Sequence, residues 1–325
     1  MRQIFVLRRL RWVLALVSMA LTGLALAQGS ASQPITLIIP YPPGGSADML
    51  ARPMLPDLQK KLGQTIVLDY KGGAGGTIAT SALARAKPDG QTILMVLTAH
   101  AINDALYPKL PYDTRKDFAP VSLVATLPLL VAAPLSSPFN TIPELIAYAK
   151  ANPDKLSYAS AGNGNTSHLS VELFKTQTDT KMIHIPYKGS GPAVIAMLGN
   201  EVSLMFDSIS TSYQQVKTGK LKAIAVSSLQ RAAILPDTPT IAETLPGFEV
   251  TVWYGILAPA GTPDAVINRL SKAFAEVGAE PKVRTQLAES GYSTIGSTPA
   301  AFGTLIEAEL VKWSKAVKDS GATIQ

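Results

Sequence analysis

Short apolar runs alternate along the chain with glycine-, proline- and serine-rich loops and with stretches of helical periodicity. Each run has four to six residues, the length of a strand buried inside a sheet. Seven runs have this character, at 35–40, 65–68, 92–97, 156–160, 182–185, 202–206 and 221–226. Strands that alternate with helices in this way predict an α/β fold whose parallel sheets are covered by helices.

Two longer apolar runs, 119–134 and 249–259, flank the middle block of strands. The first follows a stretch at 100–120 that reads as irregular, and it contains Pro128. We therefore expect this run to leave one lobe, bend, and enter a second lobe. The second long run then returns the chain to the first lobe. A cleft between lobes joined by two crossing strands is the architecture of a hinged binding protein.

The C-terminal segment decides how the chain divides. Gly261-Thr262-Pro263 opens a series of helices that runs to about Lys318. These helices need a sheet to cover, and the first lobe is the economical choice. The predicted division is therefore 28–125 with 253–325 for lobe 1 and 126–252 for lobe 2.

The first 27 residues predict a cleaved secretory signal peptide. Arg2, Arg8, Arg9 and Arg11 precede an apolar run that ends in the small-x-small sequence Ala25-Leu26-Ala27. A membrane anchor is the alternative, but the run is short of the roughly 20 residues that span a bilayer. The predicted location is the periplasm. Without residues 1–27 the chain keeps 25 basic and 23 acidic residues, a net charge of +2.

This near-neutral charge gives no electrostatic basis for binding nucleic acid, which needs a concentrated basic face. The chain also has no cysteine. Disulfides, thiolate metal sites, thiol catalysis and lipid attachment through cysteine are therefore excluded.

Five loops follow predicted strands and carry the candidate chemistry. They lie at 41–46, 71–76, 161–167, 186–191 and 207–212. Ligands in open α/β sheets bind at the carboxyl ends of strands, and helix N-termini there favour an anion. Glycine also lets the backbone approach a ligand closely. Any α/β protein needs such loops to turn its chain, but five of them in two lobes favour a small anion held between the lobes.

Enzymatic patterns are weak in this sequence. His100, His168 and His184 lack the spacing of a metal site, so packing roles are expected and no metal or cofactor is predicted. Lys188-Gly189-Ser190-Gly191 only faintly resembles a nucleophile elbow. A secreted α/β hydrolase nevertheless stays an alternative, tested by Ser190→Ala.

Several motifs along the whole chain resemble one family, the substrate-binding proteins of tripartite tricarboxylate transporters, known as the Bug or TctC-like group. The motifs, in order, are Pro40-Tyr41-Pro42-Pro43-Gly44-Gly45-Ser46-Ala47-Asp48 with Ala51-Arg52, Gly72-Gly73-Ala74-Gly75-Gly76, Lys87-Pro88-Asp89-Gly90, Tyr158-Ala159-Ser160-Ala161-Gly162, His184-Ile185-Pro186-Tyr187-Lys188-Gly189, and Trp253-Tyr254-Gly255 through Ala258-Pro259-Ala260-Gly261-Thr262-Pro263. Each motif is weak alone, and their order and spacing carry the resemblance.

The resemblance implies a type II-like, two-lobe periplasmic-binding-protein fold that closes on its ligand without catalysis or a cofactor. It implies capture of a small carboxylate, either a di- or tricarboxylate or an aromatic acid, and delivery by a monomer to the transporter membrane subunits. Backbone N–H groups and ordered water would hold the carboxylate, with Lys188 as the obvious cation of these loops. A binding protein that serves a sensory system is a further alternative.

Carried onto this chain, the resemblance implies a ligand site built from both lobes. Fourteen residues are predicted: Tyr41, Gly44, Gly45 and Ser46 in the first-lobe loop; Thr98 and Ala99 after the third strand; Ala161, Gly162, Asn163 and Thr166 in the facing loop; Tyr187, Lys188 and Gly189 beside it; and Asp207 at a strand end. Asp207 would accept a hydrogen bond from a ligand amine, hydroxyl or bound water.

Some of these residues have simpler structural roles as alternatives. Ser46 and Asp207 could instead cap the helices that follow them. Asp48 and Arg52 are four residues apart and are expected to form a structural pair. Pro53 and Pro56 depart from the family pattern and predict a kink in the first helix.

Overall fold

The computed structural model describes residues 33–323. Its strands are β1 (Ile35–Ile39), β2 (Ile66–Tyr70), β3 (Thr92–Leu97), β4 (Phe118–Pro134), β5 (Ser157–Ser160), β6 (Ile183–Pro186), β7 (Leu204–Ser208), β8 (Leu221–Val226), β9 (Thr251–Pro259) and β10 (Ser293–Thr294). The predicted signal peptide lies outside the described residues.

The helices pack against the sheets. They are α1 (Ser46–Leu62), α2 (Thr77–Ala84), α3 (Ala99–Leu106), α4 (Ile142–Ala151), α5 (Thr166–Thr178), α6 (Ser190–Leu198), α7 (Ile209–Lys217), α8 (Asp264–Ala279), α9 (Pro281–Ala288) and α10 (Pro299–Ser320). Short 3₁₀ turns occupy Ala74–Gly76 and Ile241–Glu243. None of the helices between residues 33 and 323 has the length and apolarity needed to cross a membrane.

The strands form two sheets that share one long strand. In the first lobe the order is β2-β1-β3-β9-β4, with β10 on the outer side of β4. In the second lobe β4 lies between β8 and β7, and β5 and β6 follow β7. The strands β1, β2 and β3 are parallel, as are β5, β6 and β7, whereas β4 and β9 run antiparallel to their neighbours. This arrangement is the predicted two-lobe α/β fold.

Strand β4 is the first connection between the lobes. Its residues 118–128 pair with β9, and residues 129–134 pair with β7 and β8. Register shifts after Pro120, Leu123 and Val131 bend the strand so that it can serve both sheets.

The second connection runs beside the first. The Val250 amide bonds to the Ser227 carbonyl at 3.0 Å, and β9 begins one residue later in the first lobe. The predicted lobe boundaries, at 125/126 and 252/253, stay predictions.

The short apolar runs all form strands, with ends within two residues of those predicted. The stretch 100–120 was expected to be irregular, and this was wrong because α3 occupies 99–106. Six of its eight residues are buried, among them Ala101, Ile102 and Leu106, and Pro108 and Pro111 follow its end. The prolines are strong loop signals, so the two helical turns that precede them were not recognised in the sequence.

The two prolines do not end the first helix, because α1 runs from Ser46 to Leu62, and the predicted kink stays a prediction. Pro53 is half-buried and Pro56 is exposed, so solvent can reach the carbonyl groups that these prolines leave unpaired. Ala47, Leu50 and Met54 on the opposite side are buried in the core. Burial of this apolar face offsets the cost of the two missing hydrogen bonds.

Candidate functional site

A cavity of about 860 Å³ opens between the two lobes, where the loops after β1, β2, β5 and β6 meet. We call it the main cavity. It is lined by Tyr41, Pro42, Pro43, Tyr70, Gly72, Gly73, Ala74, Gly75, Ile78, Tyr107, Ala161, Gly162, Asn163, Pro186, Tyr187, Lys188 and Gly189. Its volume is in the range of sites that enclose small organic molecules.

A second, much smaller space adjoins the main cavity, and Tyr41 and Ala161 line both. We call it the inner chamber. It measures about 20 Å³ and is lined by Tyr41, Gly45, Ser46, Leu97, Ala161, Asn165, Thr166, Ser190, Ser208 and Val252. A space of this size holds roughly one water molecule.

Three helix N-termini converge on the inner chamber. Ser46, Thr166 and Ser190 are the first residues of α1, α5 and α6, and all three line it. The N-cap residues of α1 and α6 are glycines and make no side-chain cap. The first amides of these two helices are therefore left for a ligand or water. Amide donors and aligned helix dipoles create positive potential without a charged side chain, and this potential favours an anion.

The lobes are in close contact around the site. Tyr41 of the first lobe accepts a hydrogen bond from the Asn165 side-chain amide of the second lobe at 2.7 Å. A Cβ added to Gly75 would lie 2.6 Å from the Asn163 carbonyl oxygen across the cleft. A Cβ added to Gly189 would lie 3.2 Å from Pro42. The absence of side chains at these two glycines therefore permits the lobes to close.

The first-lobe loop is held by Asp48. This carboxylate accepts hydrogen bonds from the Gly44 amide at 2.8 Å, from Arg52 and from the Tyr70 hydroxyl. Burial alone would raise the pKa of Asp48, but the hydrogen bonds from Tyr70, Arg52 and Gly44 lower it below its ordinary value. The expected Asp48–Arg52 pair is formed, at 2.8 Å. The Gly44 amide is used in this network and so helps to shape the loop, and contact of Gly44 with a ligand stays a prediction.

A stack of aromatic rings supports the loop at 161–167 in the second lobe. The imidazoles of His168 and His184 lie 4.0 Å apart with nearly parallel planes, and Tyr158 stacks on His184 at 4.8 Å. The His184 Nε2 atom lies 2.6 Å from the Ser160 hydroxyl, which accepts a hydrogen bond from the Gly162 amide. His168 accepts one from the Gly164 amide at 3.3 Å.

Burial lowers the pKa of His168 to about 4 and that of His184 to about 3, so both are neutral at pH 7. The proximity of the two rings, and of Lys175, further disfavours the charged form of His184. The expected packing role therefore holds for both residues, although they are stacked on each other and not isolated. Ser160 is fully buried, so its contact with His184 is closed to a substrate.

Asp207 lies fully buried at the end of β7. It accepts hydrogen bonds from Thr211 and, at 2.5 Å, from Ser212 in the first turns of α7. Burial raises the pKa of Asp207, and the surrounding hydroxyl groups lower it in part. These partners are side-chain hydroxyl groups, and the N-cap residue of α7 is Ser208, which makes no side-chain cap bond, so the alternative that Asp207 caps this helix is not observed. Contact with a ligand stays a prediction.

Thr98 also has a structural role in the described contacts. It is fully buried, and its hydroxyl accepts a hydrogen bond from the Trp253 amide at 3.0 Å, which ties β3 to β9. Its neighbour Ala99 lines a cavity of about 10 Å³ beneath the 3₁₀ turn, with Tyr41 and Asn103. These two residues lie behind the first-lobe loop.

The other predicted residues line the two spaces between the lobes. Tyr41, Ala161, Gly162, Asn163, Tyr187, Lys188 and Gly189 line the main cavity, and Tyr41, Gly45, Ser46, Ala161 and Thr166 line the inner chamber. Further residues that line these spaces were not predicted from the sequence, among them Pro42, Pro43, Tyr70, Ile78, Tyr107, Asn165, Ser190 and Ser208. Asn165, Ser190 and Ser208 belong to loops that were identified, whereas Tyr107 follows the helix that was overlooked.

Charge is sparse in the site. Lys188 is exposed at the main cavity and is the cation among its lining residues. Lys71, in the adjacent glycine-rich loop, pairs with Asp69 at 2.9 Å. Within residues 33–323, histidine and acidic side chains form no group of three or more that could hold a metal ion. The arrangement is suited to bind one small anion mainly through backbone amides.

Comparison with known proteins places this chain in a family. The chain matches the model of the tripartite tricarboxylate transporter family receptor, TctC, over residues 50–322. It is 39% identical over 288 residues to a protein of the tcbD–tcbE intergenic region in Pseudomonas sp. strain P51, covering 88% of this chain and 86% of that protein. It is 34% identical to BugT of Bordetella pertussis, with coverage of 90% and 91%.

Solved structures agree with this assignment. The periplasmic binding protein BugD superposes with a TM-score of 0.86 at 37% identity, over 90% of this chain and 99% of that chain. An R. palustris protein solved with adipate gives 0.87 at 34% identity, over 91% and 100%. MatC from Rhodopseudomonas palustris, with bound malate, gives 0.84 at 33% identity, over 88% and 99%.

The fold and the cleft thus define a periplasmic solute-binding protein. The chain belongs to the TctC receptor family of tripartite tricarboxylate transporters, as its motifs predicted, and this is a family of binding receptors and not of enzymes.

Proposed function

We propose that this protein captures a small carboxylate between its two lobes in the periplasm and delivers it, as a monomer, to the membrane subunits of a tripartite tricarboxylate transporter. The observation that carries the proposal is the convergence of three helix N-termini, those of α1, α5 and α6, on the inner chamber. Two of these helices have uncapped amides, which suit a carboxylate in a site with little positive side-chain charge.

The inner chamber and the main cavity would each accommodate a different part of the ligand. The carboxylate would meet the amides at the inner chamber, directly or through a water molecule that fits there. The rest of the ligand would occupy the main cavity, where Lys188 could meet a second acidic group. The solved relatives with adipate and malate support a carboxylate as the ligand class.

Uptake measured in reconstituted membranes tests the delivery step. Proteoliposomes that contain the membrane subunits of such a transporter would be given a radiolabelled carboxylate that the purified protein binds. We expect uptake only when the protein is added, and no chemical change in the recovered carboxylate. Binding without any stimulation of uptake would refute delivery and favour a role in a sensory system.

A further inference from the structure

Tyr70 is an aromatic side chain of the main cavity that is fixed from behind. It is the last residue of β2 and lines the cavity beside the loop 72–75. Its hydroxyl is bonded to the Asp48 carboxylate and accepts a hydrogen bond from Arg52 at 2.7 Å. The Arg52 guanidinium carbon lies 5.9 Å from the centre of the Tyr70 ring.

These contacts place the ring before any ligand arrives. The Asp48 carboxylate is 5% exposed and is itself bonded to the Gly44 amide, so the support of the ring belongs to the same network as the first-lobe loop. Burial and the bond to Asp48 raise the pKa of Tyr70 to about 12, which keeps the phenol neutral at pH 7. A ring fixed in this way loses little conformational freedom when a ligand packs against it.

The rest of the main cavity favours the same kind of ligand. Beyond Tyr70 its side chains include Tyr41, Tyr107 and Tyr187, three prolines and Ile78, whereas the charged group among its lining residues is Lys188. With one carboxylate at the inner chamber, a di- or tricarboxylate would bring one or two further negative charges into the main cavity, where the cation of the lining, Lys188, is exposed to solvent. An aromatic ring bearing one carboxylate instead matches the apolar and aromatic walls.

We infer that the ligand is an aromatic carboxylate, whose carboxylate is held at the inner chamber and whose ring packs against Tyr70, making Tyr70 a specificity-determining residue. This inference rests on the proposed function and names the ligand class of the same site. The inferred ligand thus differs in class from adipate and malate, the aliphatic dicarboxylates found with two solved relatives.

Calorimetry of the purified protein with four probes tests the inference: benzoate, malate, adipate and citrate. Benzoate is expected to bind at least tenfold more tightly than the three aliphatic acids. Tyr70→Leu should weaken benzoate binding about tenfold, since an aromatic contact of this kind is worth about that factor, and should change any aliphatic binding less than twofold. Tyr70→Phe keeps the ring and should stay within about threefold of the parent. Tyr213→Leu, a tyrosine of α7 outside the cavity lining, is the matched control and should change nothing.

The outcomes separate the two claims. Tighter binding of malate, adipate or citrate than of benzoate would overturn the inference and leave the proposed receptor function standing. An equal loss for all ligands in Tyr70→Leu, in protein whose circular dichroism matches the parent, would also overturn it, because Tyr70 would then act only through the first-lobe loop. No binding of any of the four acids to folded, ligand-free protein would overturn the inference alone, whereas the proposed function would be refuted if a wider panel of carboxylates also failed to bind.

Discussion

Closure of the lobes depends on the absence of a side chain at Gly75, and the substitution Gly75→Ala, which adds one methyl group there, tests this dependence through ligand affinity. In Gly75→Ala the new Cβ would lie 2.6 Å from the Asn163 carbonyl oxygen of the opposite lobe, well inside normal contact. The backbone there is left-handed, with φ 61° and ψ 18°, so alanine also costs about 1–2 kcal/mol of strain. The strain is present whether the lobes are open or closed, whereas the contact with Asn163 arises only in the closed form.

Gly63 provides a matched control. It has nearly the same backbone angles, φ 63° and ψ 23°, but an added Cβ would meet nothing within 4 Å. Gly63→Ala should therefore lose about 1–2 kcal/mol of stability to strain and keep its ligand affinity. Gly75→Ala should show a similar loss from strain and bind its ligand more weakly. Overpacking costs about 1–3 kcal/mol, which corresponds to about 5- to 150-fold in affinity.

Urea unfolding measures the first effect, and calorimetry with the best-binding carboxylate measures the second. Weaker binding in Gly75→Ala, with unchanged binding in Gly63→Ala, is the predicted pattern. Equal affinities in the two variants would refute the argument, because the contact between Gly75 and Asn163 would then not belong to the liganded form.

Three further predictions concern single groups. Tyr41→Phe removes the hydroxyl that accepts a hydrogen bond from Asn165 across the cleft, and the unpaired donor should cost about 1–3 kcal/mol, which weakens ligand binding about 5- to 150-fold. Tyr112→Phe, at an equally buried tyrosine of the first lobe, should leave the affinity unchanged. Equal affinities of the two variants by calorimetry would contradict this prediction. Asp48→Asn should destabilise the protein by about 1.5–3 kcal/mol in urea unfolding at pH 7, since the charged hydrogen bonds from Arg52 and the Gly44 amide are weakened. Because the pKa of Asp48 is depressed in the folded protein, the difference in stability from the parent should shrink as the pH falls below about 4. A difference that stays constant with pH would count against this prediction. Burial lowers the pKa of His100 and His168 to about 4 and that of His184 to about 3. Below about pH 6.5 the unfolded chain therefore binds more protons than the folded one. The free energy of unfolding should fall towards pH 4 by up to about 1.4 kcal/mol per pH unit for each histidine. His100→Phe should reduce this slope by about a third, and an unchanged slope would show that His100 is not the neutral, buried group described.

The sequence predicted the fold well because local patterns and packing agree. Buried runs such as Thr92–Leu97 and Leu221–Val226 form strands with the predicted ends, since nearly every residue in them is apolar and each is bounded by a turn. Thr141 caps α4 by accepting a hydrogen bond from the Glu144 amide, as a threonine at this position before a helix favours. The error at α3 arose where a short helix precedes a proline-rich stretch, so local composition and tertiary packing disagree.

The site was predicted less completely than the fold. Glycine-rich loops are visible in a sequence, and those at 161–167 and 186–191 do line the space between the lobes. The roles of Gly44, Thr98 and Asp207 are set by hydrogen bonds to Asp48, Trp253 and Thr211, and such partners are not readable from spacing alone. Tyr70 and Tyr107 contribute through long-range arrangement of β2 and α3, which places their rings in the same cavity.

The central claim is that this receptor binds one carboxylate between its lobes, and a thermal-shift screen against a carboxylate panel tests it most directly. A ligand at 100 times its dissociation constant should stabilise the folded protein by about 2.7 kcal/mol, a rise of a few degrees in Tm for a chain of this size. The account predicts such a shift with one class of carboxylate and an unchanged compound after prolonged incubation. Folded, ligand-free protein whose Tm no carboxylate raises would contradict it.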